Sequence, residues 1–261
     1  MKKKKLYIIA IGGNILDDQD RLNNFLLDFS QIRTNKILVH EGGVMVNEIC
    51  KKLGVDPEKS HGKKSLDQNA SKISAMVYAG LINKSIVARL QANQCNAIGL
   101  SGVDANIIPA VKIEENKEGY VDSETINVSV IAALIENCLI PVIAPISHDG
   151  NGNFKNLDPD NVASELAVAF TNLYDVHLIY CFEKKGILKD ISDNNSVIPK
   201  ITLENYNHLK KDGVIAEGMT PKLDKAFSAL KRKVLSVRIC SVDKLLNTVN
   251  SPERVGTELY V

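Results

Sequence analysis

Short apolar runs at residues 6–11, 37–39, 96–100, 107–113, 140–144, 176–181 and 234–240 alternate with stretches of helical period. No other feature constrains the chain as much. Runs too short for helices, flanked by amphipathic segments, bury themselves as strands covered on both faces. The expectation is an α/β chain of βα units feeding a mainly parallel sheet. One helix is expected after Gly43, with Val46, Ile49, Cys50 and Leu53 on one face and Gly54 closing it. Others are expected over residues 72–94, broken near Gly80, and over 124–137, where Ile126, Val130, Ala133 and Leu134 share a face. Residues 148–153 are dense in turn formers and predict a hairpin tip.

Two segments carry a cap followed by proline. Asp158 and Pro159 predict an N-cap and a first helical residue, with Val162, Leu166, Ala169 and Phe170 as the buried stripe. Thr220 and Pro221 repeat the pattern, with Leu223, Ala226, Phe227 and Leu230 apolar, which puts Lys222 in a first helical turn. No Gly/Ser-rich linker interrupts the chain. A boundary near Asp175, before the run at 176–181, would give two lobes sharing one sheet.

Composition narrows the class of partner. The 261 residues are 44% hydrophobic and 24% charged, as in an ordinary globular protein, and the net charge is only +1. No bulk field argues for nucleic acid or a membrane, so an anion must be recognised locally. The Lys2–Lys5 tract precedes an apolar run too short for a secretory signal, and no run reaches the ~18 apolar residues of a span. Cys50, Cys95, Cys138, Cys181 and Cys240 are widely spaced and odd in number, which suits reduced thiols in the cytoplasm.

Gly12-Gly13 and Gly42-Gly43 each follow a predicted strand. Glycines there let backbone N–H groups approach a phosphate. One such turn is ordinary; two in successive βα units point to an anion cradle. Neither is a P-loop or a dinucleotide fingerprint. Lys222, a cation opposing its own helix dipole, is either solvated or neutralised by a partner such as a phosphoryl group. Asp160 in the other first turn has a simpler role open to it, stabilising its own helix start. The stretch from Glu183 after the run at 176–181 is a charged turn or the edge of a nucleotide site, since α/β sheets bind ligands beyond the carboxyl ends of their strands.

Taken in order, Ile11-Gly12-Gly13-Asn14, His40-Glu41-Gly42-Gly43, Asn156-Leu157-Asp158-Pro159-Asp160 and Gly218-Met219-Thr220-Pro221-Lys222 resemble N-acetylglutamate kinases of the amino-acid kinase family. The resemblance covers essentially the whole chain. It implies a three-layer αβα sandwich, with residues 1–175 as an acylglutamate-binding and dimerising lobe and residues 176–261 as a nucleotide lobe. The implied reaction moves the γ-phosphoryl of ATP, with Mg²⁺, to the side-chain carboxylate of an N-acylated glutamate in arginine synthesis. The implied assembly is a homodimer. By residue, Lys222 would stabilise the transition state and Asp160 would orient the cationic groups. Gly12 and Gly13 would offer N–H groups to the phosphates. Gly42, Gly43, Lys64 and Asn156 would hold the acylglutamate. Glu183, Lys184, Lys185, Gly186, Ile187, Leu188, Val214, Ile215 and Ala216 would border the nucleotide.

Four positions depart from the family pattern. Ala10 stands where a lysine usually precedes the Gly-Gly turn, Glu41 replaces the first glycine of a triplet, Lys64 an arginine and Asp158 an asparagine. Three of these weaken anion binding, and Asp158 adds negative charge. A slowed kinase is one implication; a non-catalytic member acting as a binding or regulatory subunit is the other.

Overall fold

A computed structural model describes residues 3–55, 68–110, 120–215, 217–251 and 255–261. Its centre is an eight-stranded sheet. In spatial order this comprises β3 (Ala97–Ser101), β4 (Ile140–Ala144), β2 (Asn35–His40), β1 (Lys4–Ile11), β7 (Tyr174–Phe182), β9 (Ser236–Ser241), β10 (Thr257–Tyr260) and β8 (Lys200–Thr202). β10 runs antiparallel to β9, and every other ladder of this sheet is parallel. A separate hairpin of β5 (Ile146–His148) and β6 (Phe154–Asn156) brackets the predicted turn at 148–153.

Alternation along β1 creates two cores. Leu6, Ile8 and Ala10 face a core shared with α6 (Val128–Glu136), α7 (Pro159–Ala169), α8 (Leu203–Lys211) and α9 (Thr220–Lys231). Tyr7, Ile9 and Ile11 face the other. That second core is closed by α1 (Gly13–Asp17), α2 (Gln19–Gln31), α3 (Met45–Lys52), α4 (Gln68–Ala75), α5 (Asn83–Ala92) and α10 (Leu245–Asn250). The result is the expected three-layer αβα sandwich.

Several local expectations need correction. The described part of the run at 107–113 is not a strand. Ala105 and Asn106 take positive φ, and Ile107 and Ile108 are buried as an irregular segment whose Ile108 N–H returns to Gly102. Residues 111–113 lie outside the described part. Helix α6 begins at Val128, and it buries Ile131, Ala132 and Ile135 while Ala133 is exposed. Leu53, expected in the core, is 60% exposed. Thr220 is the first residue of α9 rather than its cap, since a 3₁₀ turn, Glu217–Met219, leads into it. The break near Gly80 is a π-helical turn, Met76–Ile82, between α4 and α5. β8 and β10 were not legible as strands: each is short and lacks a long apolar run.

The stretch 70–92 is long and apolar enough to cross a membrane by length and composition alone. Here Ile73, Val77, Ile82, Ile86 and Leu90 are buried in the second core.

Lys36, 3% exposed, closes α2. Its ammonium donates to the carbonyls of Phe29 (2.5 Å), Ile32 (2.7 Å) and Ser30 (3.3 Å), the groups a helix end leaves unpaired. Burial pushes its pKa down to about 8. Lys36→Met keeps the stem but removes the ammonium from these carbonyls, leaving Phe29 O only the Ile32 N–H at 3.2 Å, so it is expected to lower stability by about 2 kcal/mol in urea unfolding.

Candidate active site

Parallel register brings three loops to one edge. Ile11 pairs with His40 on one side and with Cys181 on the other. The turns that follow these strands, 12–13, 41–43 and the segment beyond Phe182, therefore leave the sheet together. Gly12 N–H donates to Cys181 O at 3.2 Å, completing the ladder, which leaves Gly13 as the amide turned into the crevice. Gly42 and Gly43 are glycine for different reasons. A Cβ on Gly42 would stand 1.6 Å from the Tyr78 ring, whereas Gly43 has φ +57°.

Two helices aim their first turns at these loops. Asp158 caps α7 by accepting from Asn161 N at 2.9 Å, which presents Asp160 in the first turn. Lys222 leaves the first turn of α9, and its ammonium lies 3.0 Å from Asp160 Oδ1 and 3.7 Å from Glu41 Oε1. It also sits 3.9 Å above the Phe182 ring centroid. Glu41 Oε2 in turn accepts Gly13 N–H at 2.7 Å. Burial raises the pKa of Glu41, with Lys222 opposing and Asp160 adding to the rise. Burial likewise raises that of Asp160, and Lys222 opposes it. The extra negative charge expected from Asp158 is answered by Lys225 at 2.5 Å, one turn beyond Lys222 on α9.

Two cavities flank this cluster. One, of about 460 Å³, is lined by Gly13, Glu41, Gly42, Gly43, Tyr78, Asn156, Asp158 and Asp160, among others. Asn156 Nδ2 donates to Ser74 Oγ at 3.1 Å, while its Oδ1 is buried without a partner and is free to accept an N–H. The other, of about 540 Å³, is lined by Phe182, Lys184, Gly186, Ile187, Leu188, Val214, Ile215 and Met219, among others. Glu183 and Lys185 are exposed and outside that lining. Lys64 and Ala216 lie outside the described residues. Among the described residues no group of three His, Cys, Asp or Glu side chains could hold a metal.

The sequence profile of the amino acid kinase family matches residues 5–241. The chain belongs to the amino acid kinase family. Among its members, an acetylglutamate kinase of Cytophaga hutchinsonii is 46% identical over 260 residues, covering 98% of both chains. One of Phocaeicola vulgatus is 45% identical over 240 residues, 91% of this chain and 93% of that one. Two solved structures share the fold at low identity. A Giardia carbamate kinase superposes with TM-score 0.68 at 16% identity, over 99% of each chain. An N-acetylglutamate synthase of Neisseria gonorrhoeae gives 0.80 at 18% over all of this chain, which spans 60% of that longer one. As an amino acid kinase, this chain has phosphoryl transfer as its chemistry, and the Lys222–Asp160 pair sits between its two cavities.

Four participants were given no role by the sequence: Phe182, Lys225, Tyr78 and the support beneath Glu41. Lys225 had a signal, its i, i+3 spacing from Lys222. The support had none. Lys84 Nζ donates to Asn83 Oδ1 at 3.2 Å, and Asn83 Nδ2 donates to Val142 O and to His40 Nε2, at 3.0 and 3.1 Å. His40 Nδ1–H then donates to the Glu41 carbonyl at 2.8 Å.

His40 is fully buried, and burial pushes its pKa down to about 4, with Lys84 adding to the fall. The unfolded chain, near 6.5, therefore binds the proton first, so stability falls as pH drops from about 6.5 towards 4 and is level above that. Urea unfolding is expected to show a loss of about 2 kcal/mol from this residue between pH 7.5 and pH 5, absent in His40→Asn.

Proposed function

We propose that this chain uses ATP to phosphorylate the side-chain carboxylate of an N-acylated glutamate, as an acetylglutamate kinase of arginine synthesis. The observation that carries the reading is Lys222, held by Asp160 between an apolar cavity and a polar one at the carboxyl edge of the sheet. The first suits a nucleotide base and ribose; the second suits a small acidic amide.

In this reading Gly42, Gly43 and Asn156 hold the acylglutamate, with the unpartnered Asn156 Oδ1 accepting its amide N–H. The family resemblance assigns the α-carboxylate to Lys64. Lys184, Gly186, Ile187, Leu188, Val214 and Ile215 border the nucleotide, with Glu183 and Lys185 exposed beside them; the family resemblance adds Ala216. The seam between β1 and β7 divides an acylglutamate lobe, residues 1–175, from a nucleotide lobe, residues 176–261.

Little covalent help is needed. Two anions must be aligned, and the negative charge spread over the transferred group must meet donors. Lys222 is the cation, and Gly12 and Gly13 border the phosphates. Asp160 keeps the ammonium of Lys222 aimed at the crevice. Mg²⁺ supplies charge neutralisation to the phosphates. The chain's own carboxylates here are already paired with lysines, so the ion would be carried mainly by the nucleotide.

A cytoplasmic homodimer completes the proposal. None of the five cysteines is in a disulfide, which suits a reducing compartment. Met76 and Leu81, 59% and 51% exposed on the π-helical turn, supply apolar surface for a pairing contact. Light scattering is expected to give a dimer and, for Met76→Asp with Leu81→Asp, a monomer.

The reaction itself is tested by ADP release with N-acetylglutamate and N-succinylglutamate. Lys222→Ala is expected to lower kcat by about 10² to 10³. Ala10 lies on the face of β1 turned to α7 and α9, so Ala10→Lys together with Glu41→Gly is expected to raise kcat by on the order of 10². If neither the parent nor that double variant phosphorylates either acylglutamate while both bind ATP, the chain is a non-catalytic, nucleotide-binding member instead.

A further inference from the structure

One anion already present in the crevice belongs to the chain itself. Glu41 Oε2 takes the Gly13 amide at 2.7 Å, and Oε1 lies 3.7 Å from Lys222 Nζ. A backbone amide turned into a cavity and a lysine ammonium are the donors that a phosphoryl oxygen requires. Here a carboxylate already has both.

We propose that Glu41 is a resident anion in the seat of the transferred phosphoryl group, and that a γ-phosphate binds by displacing its carboxylate from Gly13 and Lys222. The inference rests on the kinase reading above. It names the residue that sets the preference between a nucleoside triphosphate and a diphosphate.

Three observations support it. First, the donors are not in surplus: Gly13 offers a single N–H, and Lys222, with its side chain 11% exposed, already answers Asp160 at 3.0 Å. The neighbouring cation Lys225 is paired with Asp158 at 2.5 Å. A phosphate arriving with Glu41 in place would add a third anion around one ammonium, in a site where burial already disfavours charge. Second, the approach is built into the backbone. A Cβ on Gly13 would stand 3.1 Å from Glu41 Oε2 and 3.0 Å from Gly43 Cα, so glycine is what lets the carboxylate reach the amide. Third, the carboxylate has somewhere to go, because Glu41 lines the cavity of about 460 Å³ and its side chain is 30% exposed. Its backbone stays put, since His40 holds the Glu41 carbonyl at 2.8 Å. Displacement is therefore a side-chain rotation.

Calorimetric titration of the full chain with the non-hydrolysable triphosphate AMP-PNP and with ADP, each with Mg²⁺, tests this on the unchanged protein, Glu41→Gln and Glu41→Gly. ADP affinity is expected to stay within about twofold across the three. AMP-PNP affinity is expected to rise about tenfold in both variants, the usual worth of one charge-assisted hydrogen bond. A merely structural role would move both nucleotides alike. A triphosphate-to-diphosphate ratio that stays level or falls in both variants overturns the proposal. If neither nucleotide binds any of the three proteins, the kinase reading falls first and this inference with it. Amide NMR of the unchanged protein gives a readout that needs no variant: the Gly13 N–H resonance is expected to shift with AMP-PNP and not with ADP. A resonance unmoved by AMP-PNP counts against displacement.

Discussion

The in-register parallel pairing of β1 with β2 and β7 is the constraint on which the rest depends. A parallel ladder ends its strands on one side, so the turns after Ile11, His40 and Cys181 must emerge side by side. Helix α7 packs on one face of that same trio, α9 lies beside α7 over β9 and β10, and both add their first turns to the same edge. A slip of one residue in β1 would turn Leu6, Ile8 and Ala10 to the opposite core and carry Gly13 away from Glu41. The two buried cores specify the register, and the register makes the site.

What gathers there is a nearly balanced set of charges. Lys222 with Asp160 and Glu41, and Lys225 with Asp158, place three carboxylates against two ammonium groups within a partly buried crevice. The excess falls on Glu41, whose pKa is raised by burial. Its carboxylate compensates by taking a backbone amide that would otherwise be unpaired. The hydrogen-bonded chain from Lys84 through Asn83 to His40 supports this arrangement. His40 must stay neutral to accept from Asn83, because protonating Nε2 would set one N–H against another.

Much of the fold was legible because burial on both faces leaves continuous apolar runs, as in residues 6–11, 140–144 and 176–181. The failures share a cause. Residues 107–108 are as apolar as a strand, but they fill a core from an irregular segment, and local composition does not distinguish the two. β8 and β10 are brief edge-side strands whose pairing is defined by neighbours far away in sequence.

By itself the sequence determined the layers, the two glycine turns, the capped start of α7 and the membership of Lys222 in a first helical turn. These follow from periodicity and from the local chemistry of proline, glycine and aspartate. Tertiary structure alone decided which charges meet. Glu41 and Gly13 are 28 residues apart, and Lys225 and Asp158 are 67 apart. No local rule links such positions, because their contact exists only after the sheet has closed. That closure is what converts Glu41 from a departure in a glycine triplet into the occupant of an anion seat.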